Sequence, residues 1–234
     1  MRTPEDLLRE EYFELLPHVR RATEELEAEV RHQLIPLSRT LQSHERLVVR
    51  SRVKECESAI GALMRRTELF DHSRESLAPS LTALNDLAGV RVLAFPKFRV
   101  LEADELLQER FPTWAADPVP AAPFSANSLA LKYHGYCGPH SRVRGEIQIM
   151  SMLIGLFWEV EHAALYKPGA SLRGLEISTR MRERNADVIH ALRSFETEFE
   201  SFACATPPRT SAPSAAAQSR TPAHSRSPDS SASG

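Results

Sequence analysis

Cysteine is scarce in this chain, and the signals of secretion and membrane insertion are missing. Its three cysteines, Cys56, Cys137 and Cys204, are far apart and form no CxxC pair, so neither a disulfide framework nor a cysteine zinc site is supported. The N-terminus is charged from its second residue and lacks the apolar core of a signal peptide. No apolar run approaches the length of a membrane span. We therefore expect a cytoplasmic protein with no membrane partner.

An excess of charge of one sign is also missing. The 29 basic and 31 acidic residues nearly cancel, so the chain has no general attraction to nucleic acid. No glycine-rich loop of the GxxxxGK type is present, which argues against a P-loop enzyme. With 42% hydrophobic residues among 234, the chain can bury one substantial core. Any partner must therefore be inferred from local sites.

Helical periodicity marks both ends of the chain. Residues 4–34 carry apolar side chains at three- and four-residue spacing, which predicts an amphipathic helix with Pro17 as a kink. A basic stretch from about 43 to 68 predicts a second helix. Near the C-terminus the spacing is typical of a helix that packs along a partner, either the N-terminal helix or another subunit. That seam consists of Val188, Leu192, Phe195, Phe199 and Phe202.

Composition divides the chain into four parts. We interpret residues 1–42 as a helical extension, residues 43–170 as the functional domain and residues 171–205 as a C-terminal helix. Residues 206–234 are rich in Pro, Ser and Ala and contain no Leu, Ile, Val or aromatic residue. Such a segment cannot bury enough apolar surface to offset its ordering entropy, so we expect a disordered tail.

Three segments between these helices have the pattern of strands. Residues 84–95 have the apolar, β-branched density of a buried strand, with Asp86 at its start and Arg91 inside it. Residues 128–136 alternate and turn back into a strand at 145–149. In that last strand Glu146 and Gln148 alternate with apolar neighbours, so both lie on one face. The fold class expected from these elements is α+β, with a mixed sheet flanked by helices.

Charged residues with complementary chemistry cluster in these segments. Asp86 and Glu146 are carboxylates on separate strands of one predicted sheet, and cations close to the same elements are Arg52, Lys54 and Arg91. Carboxylates that hold magnesium, combined with Arg and Lys donors, are what phosphoryl and pyrophosphoryl transfer needs, because the cations neutralise phosphate oxygens.

Four motifs in order resemble the synthetase domain of the RelA/SpoT family, the alarmone synthetases. They are RVKECES at 52–58, DLAGVR at 86–91, EIQI at 146–149 and WEVEHAALYK at 158–167. The resemblance spans roughly residues 45–168, and the helices at both ends resemble those of the stand-alone small synthetases. It implies the nucleotidyltransferase-like fold of that family and transfer of pyrophosphate from ATP to the 3′ hydroxyl of GDP or GTP, with Mg²⁺ as cofactor.

The resemblance also implies a role for each matching residue. Asp86 and Glu146 would be catalytic and hold the metal, and Glu146 would help to deprotonate the acceptor hydroxyl. Arg52 and Arg91 would contact adenine, while Lys54 and Ser58 would contact the ATP phosphates. Gln148 would line the acceptor side.

The chain departs from the family pattern at several positions. The lysine that follows the first motif is Ala62, and the arginine that follows EIQI is Met150, whose thioether cannot replace a guanidinium fork. In the register that we prefer for the acceptor motif, its tyrosine falls at Ala126 and its histidine at Ala130. The match of GYCGPH at 135–140 leaves too few residues before Glu146 for a strand, a turn and a returning strand.

Other residues are candidates to rebuild the acceptor side. Tyr133, Tyr136 or His134 would supply a stacking ring, although Tyr133 is equally well explained as an ordinary half-buried strand residue. Lys132 would supply the charge lost at Met150, or is a surface lysine. His162 is better explained as a structural residue one turn from Trp158.

Two functions remain open from the sequence. One is an active pyrophosphokinase with an altered acceptor, such as an adenine nucleotide or a tRNA 3′ end. The other is a nucleotide-binding or alarmone-sensing pseudoenzyme. Retention of both carboxylates favours the enzyme, because two close acids without a metal would destabilise the fold. We expect the terminal helices to mediate packing and self-association into a homo-oligomer.

Overall fold

The computed structural model describes residues 2–67, 80–117, 130–138, 141–166 and 175–205. In chain order, its helices and strands are α1 Pro4–Gln33, α2 Ile35–Thr40, β1 Arg46–Val53, α3 Cys56–Thr67, β2 Ala88–Phe95, α4 Phe98–Arg110, β3 Ala115–Ala116, β4 Leu131–Tyr136, β5 Arg144–Ser151, α5 Met152–Glu161 and α6 Leu175–Ala205. A 3₁₀ turn precedes β2, and a π-helical turn continues α5. The predicted α+β class is confirmed, and the tail predicted from residue 206 lies outside the described residues.

The strands form one mixed sheet in the order β1-β2-β5-β4-β3. The central strands β2 and β5 are parallel, and every other neighbouring pair is antiparallel. Because parallel strands begin at the same edge of a sheet, Asp86, just before β2, and Glu146, near the start of β5, are brought to that edge. The sheet topology therefore brings to one edge two carboxylates that are 60 positions apart in the sequence.

One face of the sheet carries the main hydrophobic core. It packs against α1 and α4 through the buried residues Leu26, Val30, Leu34, Val90, Val92, Val100, Ala103, Leu107, Ile147 and Ile149. Helix α1 begins with a capping box between Thr3 and Asp6, and Pro17 lies inside it without ending it. The segment predicted as an N-terminal extension thus contributes directly to the central core.

The prediction of one helix from about 43 to 68 is wrong in its first half. Residues Arg46–Val53 form strand β1, and only Cys56–Thr67 is helical. The strand pairs along its whole length with β2, from Arg46 opposite Phe95 to Val53 opposite Ala88. Its valines suit a pleated sheet, and pairing with a buried strand outweighs the local helical pattern.

Helix α6 packs within the chain through part of the predicted seam. Ile189 is buried in a cluster with Ile154 of α5, with Leu192 packed against them. Val188 and Phe195 of the predicted seam are exposed by 38% and 52%. Phe199 of the seam contacts Phe95, with ring centroids 4.9 Å apart, so the described residues cover the seam only in part. None of the described helices has the length and apolar character needed to cross a membrane.

Candidate active site

The sheet face opposite the main core carries two rows of polar side chains. Residues paired across neighbouring strands lie on the same face, so the register defines each row. The first row consists of Arg52, Gly89, Glu146 and His134. The second row consists of Arg50, Arg91, Gln148 and Lys132. Strand alternation thus gathers onto one surface residues that lie between positions 50 and 148 of the sequence.

Arg91 is the most densely bonded residue of this surface. Its Nε and Nη2 donate to Oε1 of Gln148 at 3.1 and 3.0 Å, and its Nη1 donates to Oε1 of Glu159 at 2.9 Å. The guanidinium also lies 4.1 Å from the ring centroid of Trp158, a cation–π contact. Burial lowers the pKa of Arg91, and the nearby charge of Arg52 lowers it further. This arginine is therefore held rigidly, with one face covered by Trp158.

Arg52 lies across β2 because position 89 is a glycine. A Cβ at Gly89 would come within 3.1 Å of Cγ and 3.3 Å of Nε of Arg52. The absence of a side chain at this position lets the arginine approach the β2 backbone closely. Arg52 and Arg91 thus form a pair of cations on neighbouring strands.

Glu146 is buried and has a partner on each side. Its Oε1 accepts a hydrogen bond from the amide of Gln148. Its Oε2 lies 3.8 Å from Nε2 of His134, and that nitrogen is 3.0 Å from Oδ2 of Asp117. A continuous polar chain therefore runs across the sheet from Asp117 through Glu146 and Gln148 to Arg91.

Asp86 is paired with Lys54, whose ammonium donates to Oδ2 of the carboxylate. The backbone fixes this pair, because the N–H of Lys54 donates to the carbonyl of Leu87 at 2.9 Å. Oδ1 of Asp86 is buried and has no hydrogen-bond partner among the described residues. A buried carboxylate oxygen without a partner is unfavourable, so this oxygen can accept one more ligand.

The described residues contain no group of three or more His, Cys, Asp or Glu side chains arranged to hold a metal ion. Magnesium does not need such a cage, since it is usually held by one or two carboxylates together with waters and substrate phosphates. Asp86 and Glu146 meet that requirement, and the unpartnered Oδ1 of Asp86 is a suitable oxygen ligand. The donor set therefore fits magnesium bound together with a nucleotide.

Most of the predicted site residues are brought together, and one is not. Lys132 lies opposite Gln148 on the polar face, and Ser58 lies in the first turn of α3, four residues after Lys54. Tyr133 points to the other face, where it packs against the main core. Its hydroxyl donates to Asp104, and burial raises its pKa to about 12. The prediction that Tyr133 lines the acceptor side is wrong, because alternation along β4 separates it from both of its strand neighbours.

Ala62 and Met150, where the chain departs from the family pattern, both pack in apolar clusters. Met150 is almost fully buried in a cluster with Leu93 and Ala130. Helix α5 closes over this cluster, since a Cβ at Gly155 would meet Leu93 at 2.4 Å and the sulfur of Met150 at 3.0 Å. The position of the family arginine is therefore part of a dry contact between α5 and the sheet. Ala62 packs against the cluster between α1 and α3.

Three contributors to the polar face were not predicted from the sequence. Arg50 and Glu159 form an ion pair at 2.8 Å, and Glu159 bridges Arg50 to Arg91. Arg50 would have been found if residues 46–53 had been recognised as a strand, because it precedes Arg52 by two residues. Asp117 had no recognisable signal. His162 stacks on Trp158 with ring centroids 5.4 Å apart, in line with a structural position.

Comparisons with known proteins give a fold but no sequence family. No protein-family model matches the chain, and no curated protein matches it. Among solved structures, small alarmone synthetase 1 from Bacillus subtilis aligns with a TM-score of 0.57 at 20% identity, over 82% of this chain and 96% of that one. A GTP pyrophosphokinase family protein from Streptococcus pneumoniae aligns with a TM-score of 0.57 at 23% identity, over 84% and 98%.

This chain has the small alarmone synthetase fold. The Bacillus subtilis protein also matches in its structures bound to AMPCPP and to its product pppGpp, each with a TM-score of 0.56. Both structures align over 82% of this chain and 96% of theirs, at 19% and 20% identity. The likeness in fold thus extends over most of this chain.

Proposed function

We propose that the protein is a nucleotide pyrophosphokinase that transfers pyrophosphate from ATP to the 3′ hydroxyl of a nucleotide acceptor. The observation that carries this proposal is the pair of polar rows on one sheet face, which place arginines on β1 and β2, the cationic end, beside Glu146 on β5, the carboxylate end. GDP or GTP is the acceptor implied by the resemblance to alarmone synthetases. In this role the protein takes part in guanosine tetraphosphate metabolism and the stringent response in the cytoplasm. Residues 43–170 are the domain that carries this activity.

The cationic end of the face suits ATP. Arg91 keeps one side of its guanidinium free of Trp158, and a planar guanidinium stacks well on adenine. Arg52 lies beside it across Gly89 and would contact the same base. Lys54 and Ser58 would bind the phosphates, since Ser58 lies in the first turn of a twelve-residue helix, where backbone N–H groups favour anions.

The carboxylate end suits the chemistry of transfer. Glu146 would accept the proton of the acceptor hydroxyl, which must be lost as the new bond to phosphorus forms. Gln148 donates to one oxygen of Glu146, so the other oxygen is the one available to the hydroxyl. Asp86 and Glu146 would hold magnesium, which would neutralise charge on the ATP phosphate oxygens. Lys132 would assist on the acceptor side.

A second candidate function is a nucleotide-binding or alarmone-sensing pseudoenzyme. The burial of Met150 under α5 favours it, because no guanidinium is available at this position. The Lys54–Asp86 ion pair favours it as well, because Lys54 must leave this carboxylate before its ammonium can bind phosphate. Both candidates share the nucleotide site and differ only in turnover.

We also propose that the protein self-associates through its terminal helices. On α6, Met181, Val188 and Phe195 recur every seven residues and are exposed by 41%, 38% and 52%. A seven-residue apolar repeat is the pattern of a helix that packs along another helix. An equivalent helix of a second copy would cover this stripe.

The release of AMP from ATP tests the principal proposal. Purified protein with magnesium would be offered GDP, GTP, ADP, ATP and tRNA separately, with Glu146→Gln as the inactive control. We expect AMP and a pyrophosphorylated product with one acceptor, and loss of both in the control. Absence of AMP with every acceptor, while AMPCPP still binds, would favour the pseudoenzyme. Undiminished transfer by Glu146→Gln would remove Glu146 from the mechanism.

A further inference from the structure

Two side chains of α5 contact Arg91 and have no role of their own in the proposed function. Trp158 and Glu159 are consecutive residues of this helix, and both lie against the guanidinium. Neither belongs to the polar rows of the sheet, so strand alternation does not place them. The packing of α5 against the sheet therefore decides what surrounds Arg91.

The hydrogen-bonding edge of Arg91 is largely occupied. A guanidinium has five N–H donors, and it binds phosphate best through two parallel donors at once. The parallel donors on Nε and Nη2 are both taken by Oε1 of Gln148, at 3.1 and 3.0 Å. Nη1 donates to Oε1 of Glu159 at 2.9 Å, and this carboxylate would repel an approaching phosphate. The edge of Arg91 is therefore poorly suited to phosphate.

The two faces of Arg91 have different surroundings. Trp158 covers one face, with the guanidinium carbon 4.1 Å from the ring centroid. The indole is itself held in place, because His162 stacks on it with ring centroids 5.4 Å apart. It also packs against the buried cluster of Ile154 on α5 and Ile189 on α6. The plane of the guanidinium is thus fixed from one side by a supported aromatic ring.

The second face of Arg91 is what remains for a ligand. A planar guanidinium binds a flat ring by stacking, and the larger ring system of a purine gives more contact than a pyrimidine does. Stacking does not depend on the phosphates, which are the same in all nucleoside triphosphates. The contacts of Trp158 and Glu159 with Arg91 therefore bear on which base is bound.

We propose that Trp158 and Glu159 determine the base specificity of the donor site. They hold Arg91 as a stacking surface instead of a phosphate-binding group, so the site selects purine over pyrimidine nucleoside triphosphates. Both act through Arg91 and are positioning residues. This inference rests on the proposed function, which places the base of the donor nucleotide against Arg91, and it gives α5 a part in choosing that nucleotide.

The ratio of two affinities tests the proposal without relying on turnover. AMPCPP and its cytidine counterpart CMPCPP carry the same triphosphate, so a general change in charge at the site cancels in the ratio of their dissociation constants. Calorimetric titrations would measure both analogues, with magnesium, on the wild type, Trp158→Leu and Glu159→Ala. We expect the wild type to prefer AMPCPP by roughly tenfold and each variant to lose most of this preference.

The two variants should lose the preference in different ways. Trp158→Leu removes the ring behind the guanidinium, so the affinity for AMPCPP should fall while that for CMPCPP changes little. Glu159→Ala frees Nη1 for phosphate, so the affinity for CMPCPP should rise. Val160→Ser is the matched control, because Val160 is the next residue of α5 and is 69% exposed. It should keep the wild-type ratio.

Conservative variants separate specificity from structural support. Trp158→Phe keeps an aromatic ring and Glu159→Gln keeps an acceptor for Nη1, so both should retain a clear preference for AMPCPP. Thermal melts would verify folding, and these two variants would replace any that does not fold. An unchanged ratio in both Trp158→Leu and Glu159→Ala would overturn the proposal. Equal weakening of the two analogues, or no preference in the wild type, would overturn it as well.

The inference and the proposed function fail in distinguishable ways. If the wild type releases AMP with an acceptor and the affinity ratio does not respond to the α5 variants, transfer stands and the specificity role falls. If no acceptor supports AMP release but the ratio responds as expected, the specificity role stands and transfer falls.

Discussion

Arg91 and an exposed arginine bound to the same partner can each be replaced by alanine, and the losses of stability in the two variants can then be compared. Arg91 and Arg50 both pair with Glu159, at 2.9 and 2.8 Å. Their side chains differ in exposure, 11% for Arg91 against 52% for Arg50. The two variants therefore form a matched pair in which burial is the main difference.

The magnitude for Arg91→Ala follows from what the variant leaves behind. Oε1 of the buried Gln148 loses both donors that it accepts from, and an unsatisfied buried acceptor costs about 1–3 kcal/mol. The lost contact with Trp158 adds about 0.5–2 kcal/mol. Relief of the desolvation that lowers the pKa of Arg91 offsets part of this loss. We expect a net loss of roughly 2–4 kcal/mol in the free energy of unfolding.

The control should behave differently. An exposed ion pair contributes about 0–1 kcal/mol, so Arg50→Ala should be nearly neutral. Urea unfolding followed by circular dichroism measures both values, and a parallel titration with AMPCPP measures the nucleotide affinity. We expect Arg91→Ala to weaken AMPCPP binding at temperatures where the variant is fully folded. Equal destabilisation by the two variants, or a loss below about 1 kcal/mol for Arg91→Ala, would refute the assignment of Arg91 as the buried anchor of the polar face.

Two further predictions concern α6. Glu196 is fully buried, with one oxygen bonded to Ser151 and the other without a partner in the described part of the chain, and burial raises its pKa. Because the folded-state pKa is above the unfolded value, the charged form destabilises the fold at neutral pH, and this cost disappears as the pH falls toward the unfolded value. Glu196→Gln should therefore melt at a higher temperature than the wild type near neutral pH, with the difference shrinking in acid; an equal or lower melting temperature would contradict this. For self-association, Val188→Ser combined with Phe195→Ser should reduce the molar mass measured by light scattering to one 26.2 kDa chain, whereas Leu101→Ser, an exposed apolar residue on α4, should not. A monomeric wild type would refute the proposal.

The polar residues of β2 and β5 were predictable because strand geometry is local. Side chains alternate with a period of two, so Glu146 and Gln148 had to share a face once the segment was recognised as a strand. The motif around Asp86 and Arg91 likewise needed only the short turn into β2. The long apolar spacing of α1 predicted its helix to within one residue at its C-terminal end.

Residues 46–53 show where local pattern fails. Their periodicity suits either a helix or a strand, and pairing with the buried strand β2 decides the outcome. The prediction for Tyr133 failed for a related reason. The face on which this side chain lies depends on the register of β4 against β5, and that register is set by the intervening turn and not by the composition of the strand.

The sequence by itself determined the α+β class, the order of the motifs and the alternation that places Glu146 and Gln148 on one face. Only the tertiary structure decided which cations meet these groups. The ion pairs of Glu159 with Arg50 and Arg91 join residues 68 to 109 positions apart, and His134 reaches Glu146 only through the β4–β5 register. Such contacts depend on how strands are ordered in a sheet, and strand order is set by burial of the whole core, which no short segment of the chain encodes.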